Sequence, residues 1–154
     1  MTLLGGIQSD GDTHDQGTVV RRFEAAGAIS VGSTVALTTG SAEGRVKVVA
    51  GGANDDDVVI GIYNGIGGSG AADATFGGNA AASGDSVDVV IEGAVYALVD
   101  GTTDVAALDQ LATAASGSLI QRTAASADGL QCRFVALEAM ATNAATRTLI
   151  YVHS

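Results

Sequence analysis

Residues 31–50 read VGSTVALTTGSAEGRVKVVA, and residues 107–124 read ALDQLATAASGSLIQRTA. Both stretches have a short apolar run, a turn carrying glycine, and a second apolar run. Val35 matches Leu111, Gly44 matches Gly117 and Val46 matches Leu119. The correspondence continues downstream. DDDVVIGIYNG (55–65) and GDSVDVVIEG (84–93) follow the first stretch; LQCRFVALEAM (130–140) and TRTLIYVHS (146–154) follow the second. In this alignment Val59, Ile60, Gly61 and Ile62 stand opposite Phe134, Val135, Ala136 and Leu137, and residues 87–91 stand opposite 148–152. A strand pattern stated twice predicts an all-β chain: one small antiparallel β-barrel or β-tulip made of two pseudo-repeated halves.

Composition narrows the class. A chain of 154 residues is large enough for one domain with a real core. Its apolar share is 47% but aromatics are only 4%, so small residues carry much of the packing. Proline is absent and glycine numbers 22, which leaves glycine to set most turns. The formal charge of −10 argues against a free nucleic-acid partner, because phosphate binding needs a basic surface. The single cysteine excludes an internal disulfide. Cys132 stands in the alternating run CRFVAL on the face of Phe134 and Ala136, where a buried, inert thiol is expected. No run approaches the roughly 18 apolar residues that cross a membrane. MTLLGGIQSD lacks the basic start and long apolar region of a signal peptide, so synthesis in a cytoplasm without export is expected.

Residues 1–17 differ from the remainder. MTLLGGIQSDGDTHDQG is polar and glycine-rich, with an apolar cluster only at Met1, Leu3 and Leu4. It has no sustained period of 2 or 3.6 and is expected to be a flexible arm that reaches up to about 55 Å and docks on a partner. The barrel domain is expected over 18–154. Its first strand is TVVRRFEAAG; alternation sends Arg21 and Arg22 to opposite faces, so only one of them is expected to meet a carboxylate at the interface with a partner. A hairpin is expected over 35–39 and 45–50, and a strand over 58–63. In 86–92, Val87, Val89 and Ile91 face one way while Ser86, Asp88 and Glu92 face the other. Gly93 then marks a bulge or corner before AVYALV. Residues 64–85, with IGGSGAADATFGGNAAASG, read as a long, mobile loop that the fold can dispense with. Residues 104–115 fit a helix capped by Asp104, or a turn near 103–108 followed by a strand; the repeat favours the strand.

The motifs with chemical content are weak. Gly65, Gly67 and Gly70 spell the dinucleotide fingerprint after a strand. That fingerprint must open a helix, and AADATFGGNAAASG has no apolar helical stripe. Gly67, Gly68, Ser69 and Gly70 with Asp73 resemble one copy of a calcium nonapeptide repeat, with the Asp one place late. Asp10, Asp12, His14 and Asp15 match the start of an EF-hand loop, but Asp15 stands where glycine is required and Arg21 where glutamate is required. Asp55, Asp56 and Asp57 form the densest acidic cluster, a weak metal candidate and more simply an exposed acidic turn. No cofactor is implied. The histidines are His14 and His153, and no G-x-S-x-G or H-E-x-x-H occurs. A non-catalytic protein is the expectation.

Three runs carry a family resemblance: VVAGGANDDDVVIGI (48–62), ASGDSVDVVIEG (82–93), and ALEAMAT with TLIYV (136–142 and 148–152). Together they make residues 19–152 similar to the capsid decoration, or cement, proteins of tailed bacteriophages. The 65–84 loop and the acidic arm depart from that pattern. The resemblance implies a small β-barrel or β-tulip virion protein. Such a protein binds the outside of an expanded icosahedral head, as a homotrimer at three-fold and quasi-three-fold positions, and stabilises it against internal DNA pressure. Its partner would be the major capsid protein, with neither nucleic acid nor membrane involved. In that reading the arm and its root supply the partner-binding candidates: Leu3, Leu4, Asp12, His14, Arg21 and Arg22. The alternatives are another virion module, such as a head fibre, tail-tube or adhesion domain, and a nucleotide- or metal-dependent enzyme. Adhesion through glycan stacking needs an exposed aromatic patch, and the chain has only three tyrosines and three phenylalanines.

Overall fold

The computed structural model describes residues 17–39, 43–49, 58–101, 104–122, 133–140 and 146–153. Leu3, Leu4, Asp12, His14, the Asp55–Asp57 cluster and Cys132 lie outside the described residues, as does all but the last residue of the arm.

The described residues form nine strands: β1 Val19–Glu24, β2 Thr34–Leu37, β3 Val46–Val48, β4 Val58–Tyr63, β5 Ser86–Val99, β6 Gln110–Thr113, β7 Leu119–Gln121, β8 Phe134–Ala136 and β9 Thr146–Val152. The one helical element among the described residues is a 3₁₀ turn, Ala115–Gly117. Asp104 therefore caps no helix; Leu111 belongs to β6, as the repeat requires.

β5 is 14 residues long, more than twice the usual strand, because it serves two barrels. Its second half, from Gly93, pairs with β9, and the ring β5–β9–β8–β6–β7 closes where Val99 pairs in parallel with Leu119. The first half pairs with β1 and β4, and β4 leads through β2 to β3. That ring closes through the parallel bridge Ala25–Val46. The two seams are equivalent. Ala26 N donates to Val46 O at 2.8 Å, and Asp100 N donates to Leu119 O at 2.6 Å. The expected pseudo-repeat is thus a pair of five-stranded barrels, with β1 answering to the second half of β5. Both fifth strands are legible in the sequence, as TVVRRFEAAG and AVYALV; their correspondence is not, because the second is fused to the first barrel's last strand.

The junction depends on Gly93. Its φ is +110°, a region that L side chains rarely adopt, and an added Cβ would lie 2.8 Å from Thr18 Cα. Pairing runs through it unbroken, from Glu92 opposite Val19 to Gly93 opposite Val152.

The first barrel's core holds Val35, Val46, Tyr63, Val87 and Val89. The second holds Leu111, Leu119, Phe134, Ala136 and Ile150, and its cluster extends onto Ala36, Val49, Val59 and Ile62 of the first. The bulge between Val35 and Ala36 permits this: it turns Val59 and Ile62 outward, against the second barrel, while Gly61 and Tyr63 stay inward. Hydrogen bonds also join the barrels, among them Leu98 N to Gly32 O, Gly117 N to Val49 O, and Arg133 Nη1 to Val59 O, at 2.9, 3.0 and 2.8 Å.

One part of the sequence alignment is corrected. Tyr63 N and Ala136 N both donate to the residue preceding their neighbouring strand, Ser33 O and Asp109 O. Tyr63 therefore matches Ala136, and Gly61 matches Phe134, two residues away from the alignment by residue class. Each barrel places one large and one small side chain here, in opposite order. A shift of two leaves the strand's alternation unchanged and so is invisible to it.

Residues 64–85 are the second correction. They form a hydrogen-bonded fold and not a mobile loop. Ala72 bridges Asn79, and Ile29 exchanges hydrogen bonds with Ala81 at 3.1 and 2.8 Å. Ala81 is in the first barrel's core and Phe76 packs against it. The compositional signal failed because the glycines serve contact here. A side chain on Gly67 or Gly68 would run into Ser86 O or the Tyr63 hydroxyl.

Candidate functional site

Arg21 and Arg22 take opposite sides of β1. In β1, Arg22 lies directly opposite Asp88, and its Nε is 2.7 Å from Asp88 Oδ1. Hydrogen bonding to Asp88, with the charge of that carboxylate, holds the Arg22 guanidinium above its usual range. Its carboxylate partner is thus within the chain. Arg21 turns to the other side and donates from Nη1 to Val20 O at 3.2 Å; it is exposed and makes no ion pair among the described residues. A second pair, Arg45 Nε to Glu24 Oε1 at 3.0 Å, ties β1 to the start of β3. The Arg45–Glu24 pair is solvent-facing and contributes little to stability.

Two carboxylates of the 64–85 segment, Asp85 and Asp73, have structural partners. Asp85 Oδ2 accepts from Ala82 N at 2.7 Å and Ser69 N at 2.8 Å, and Ser69 Oγ donates to the same carboxylate at 2.9 Å. These bonds, with Ala82 N the largest contribution, hold its carboxyl below the usual range. Asp73 Oδ1 accepts from Thr75 N and Phe76 N at 2.9 and 2.8 Å. Both stitch the 64–85 segment to itself. The three glycines of the apparent dinucleotide motif open no helix; they bring the segment against Gly77, Ser86 and Ala80. Among the described residues no His, Cys, Asp and Glu cluster could hold a metal ion.

A cavity of about 240 Å³ lies at the junction of the barrels, where Thr18, Val90, Ala94 and Tyr96 meet Ile66 and Phe76 of the 64–85 segment. Its lining has one titratable side chain, Tyr96, with Thr18 and Asn64 as the other polar groups, so it offers no acid–base pair.

The surface that sequence reasoning missed is the outer face of the second barrel. Register places Tyr151 beside Ala94, Leu149 beside Tyr96, and Arg147 beside Leu98. Val135 extends the first of these rows and Leu137, through its N–H to Leu149 O at 2.9 Å, extends the second. Tyr96 and Tyr151 are each 37% exposed and Leu137 38%. The Arg147 guanidinium carbon lies 3.3 Å from the centre of the Tyr96 ring, a cation–π contact that fixes both side chains. Glu138 Oε1 accepts from Leu149 N at 2.8 Å on the opposite side of β9. Alternation in β9 already separates Thr148 and Ile150 from Leu149 and Tyr151, but only the register of β5 on β9 shows that their outward residues meet.

No protein-family model and no curated protein matches the chain. Among solved structures it is similar to the crystal structure of the head fiber gp8.5 N base in bacteriophage phi29. The match covers 88% of this chain and 93% of that chain, at 14% identity and a TM-score of 0.53. At that identity the likeness is one of fold, and it takes in both barrels.

Proposed function

We propose that the chain is a non-catalytic structural protein of a tailed-phage virion, carried on the outside of the head and bound to the major capsid protein. The observation that carries this reading is the shared fold: nearly the whole of a phage head-fibre base superposes on nearly the whole of this chain. The sequence resemblance to decoration proteins supports the same location by an independent route. Asp73, Asp85 and Asp88 have structural partners, which agrees with a binding role.

Two forms of the reading stand side by side. As a decoration protein, the chain would cement neighbouring coat subunits, with three copies grouped about three-fold positions. As a fibre base, like the structural neighbour, it would anchor a projecting structure. In both, attachment is multivalent: each copy makes modest contacts that add through effective concentration. The arm, through Leu3 and Leu4, and the exposed Arg21 at its root would supply part of that attachment.

Quantitative mass spectrometry of purified virions tests the proposal and separates its forms. A decoration protein is present at a copy number comparable with the coat protein, and a fibre base at a small fraction of it. Absence of the chain from purified virions would overturn both.

A further inference from the structure

The two barrels give an internal control for the outer face of the second. By register, Tyr96 answers to Arg22, Leu98 to Glu24, Leu149 to Asp88, Arg147 to Ser86 and Leu137 to Asn64. The first barrel places polar or charged residues at these five positions and the second places apolar residues at four; the remaining row, Ala94, Tyr151 and Val135, answers to Val20, Val90 and Ile62 and is apolar in both. The fold is the same, so folding does not require apolar residues in the rows of Tyr96 and Leu98. Natural sheets with one solvated face keep that face polar, and clustered exposed apolar residues mark contact surfaces.

From this contrast we infer that the outer face of β8, β9 and the second half of β5 is a self-association surface, occupied by the same face of a second copy about a two-fold axis along β9. The face is self-complementary in that arrangement. A two-fold axis lying in the interface parallel to β9 sets one copy's β5 column against the other's β8 column, row against row. Tyr96 then meets Leu137 of the second copy, and vice versa. Arg147 leans from β9 toward β5, over Tyr96, and Glu138 lies on the β8 side, so the two charges at the edge of the face come together across the interface. Neither makes an ion pair within the chain among the described residues. In a protein of net charge −10, the rows of this face contain no carboxylate, so two copies can approach through it without opposing acids. Tyrosine and arginine are the side chains enriched at the centre of such interfaces. One face per copy is used, so the contact is compatible with a three-fold grouping on a head, and it concerns the free chain whatever the chain attaches to.

The test is site-directed crosslinking of the full chain in a Cys132→Ser background. Tyr151→Cys lies on the axis, and packed sheets are about 10 Å apart, a span that a short bismaleimide covers. A covalent dimer is expected on a denaturing gel, with none from Ala74→Cys on the exposed 64–85 segment. Arg147→Glu or Glu138→Arg, each checked for cooperative unfolding, is expected to reduce the dimer at least about tenfold, a loss of roughly 1.4 kcal/mol. Combining them is expected to restore it. Absence of the dimer, a dimer indifferent to Arg147→Glu, or failure of the double variant to recover would overturn the inference. So would a face that becomes protected from hydrogen exchange only when phage heads are added, which would assign it to the coat.

Discussion

Gly32 and Leu108 hold the same place in the two barrels. Gly32 N donates to Tyr63 O at 2.9 Å and Leu108 N to Ala136 O at 2.7 Å, each at the turn that enters the second strand of its unit. Their φ angles are +83° and +74°. Glycine adopts that conformation freely, whereas leucine is strained by about 1–2 kcal/mol. The second copy of the repeat has kept the backbone and changed the residue.

Leu108→Gly is therefore expected to stabilise the protein by about 0.5–1 kcal/mol. Leu108 is 76% exposed, so little apolar burial is lost, while the gain is reduced by glycine's freedom in the unfolded chain. Equilibrium denaturation with urea checks this through a higher midpoint at unchanged slope.

Thr34 offers a second gain. It is fully buried in β2, and its Oγ1 has no hydrogen-bond partner among the described residues. Thr34→Val keeps the shape and removes the unsatisfied hydroxyl, so an increase of about 1 kcal/mol is expected. Destabilisation on the same urea assay would show that the hydroxyl has a partner.

Asp85 sets a pH dependence. Its folded-state pKa lies below the usual value of about 3.9. The stabilisation it gives is whole above that value and is lost as pH falls through the lower, folded-state value. Asp85→Asn is expected to lower the melting temperature at pH 7, and its curve is expected to converge with that of the unaltered protein in acid. A constant difference across that range would contradict the assignment.

The 64–85 segment is expected to be required for the first barrel. Replacing residues 67–82 by a short Gly-Ser linker removes Ala81 from the core, Phe76 from its edge and the partners of Asp85. A loss of at least about 2 kcal/mol is expected, from the Phe76 and Ala81 contacts alone. An unchanged melting temperature would mean the segment is ornamental.

Much of this architecture was legible in the sequence, and the reasons differ by element. The repeat was readable because Val35 and Leu111, Val46 and Leu119, and Gly44 and Gly117 share burial or backbone demands that constrain residue class; Gly44 and Gly117 both have positive φ, +81° and +75°. The register of β4 on β8 was not, because a bulge and a swap of large for small keep the period intact. The 64–85 segment was misread because glycine used for close approach looks like glycine used for freedom. The candidate surface was least legible: Tyr96 and Tyr151 are 55 residues apart, and only the pairing of β5 with β9 brings them to one face.

The central claim is attachment to the outside of a phage head, and cryo-electron microscopy tests it most directly. Heads from the phage that encodes the chain, produced without it and then mixed with purified protein, would be reconstructed beside untreated heads. The account predicts added density on the outer surface into which both barrels fit, joined at Gly93, at positions set by the coat lattice. Identical reconstructions with and without the protein, or density confined to the tail, would contradict it.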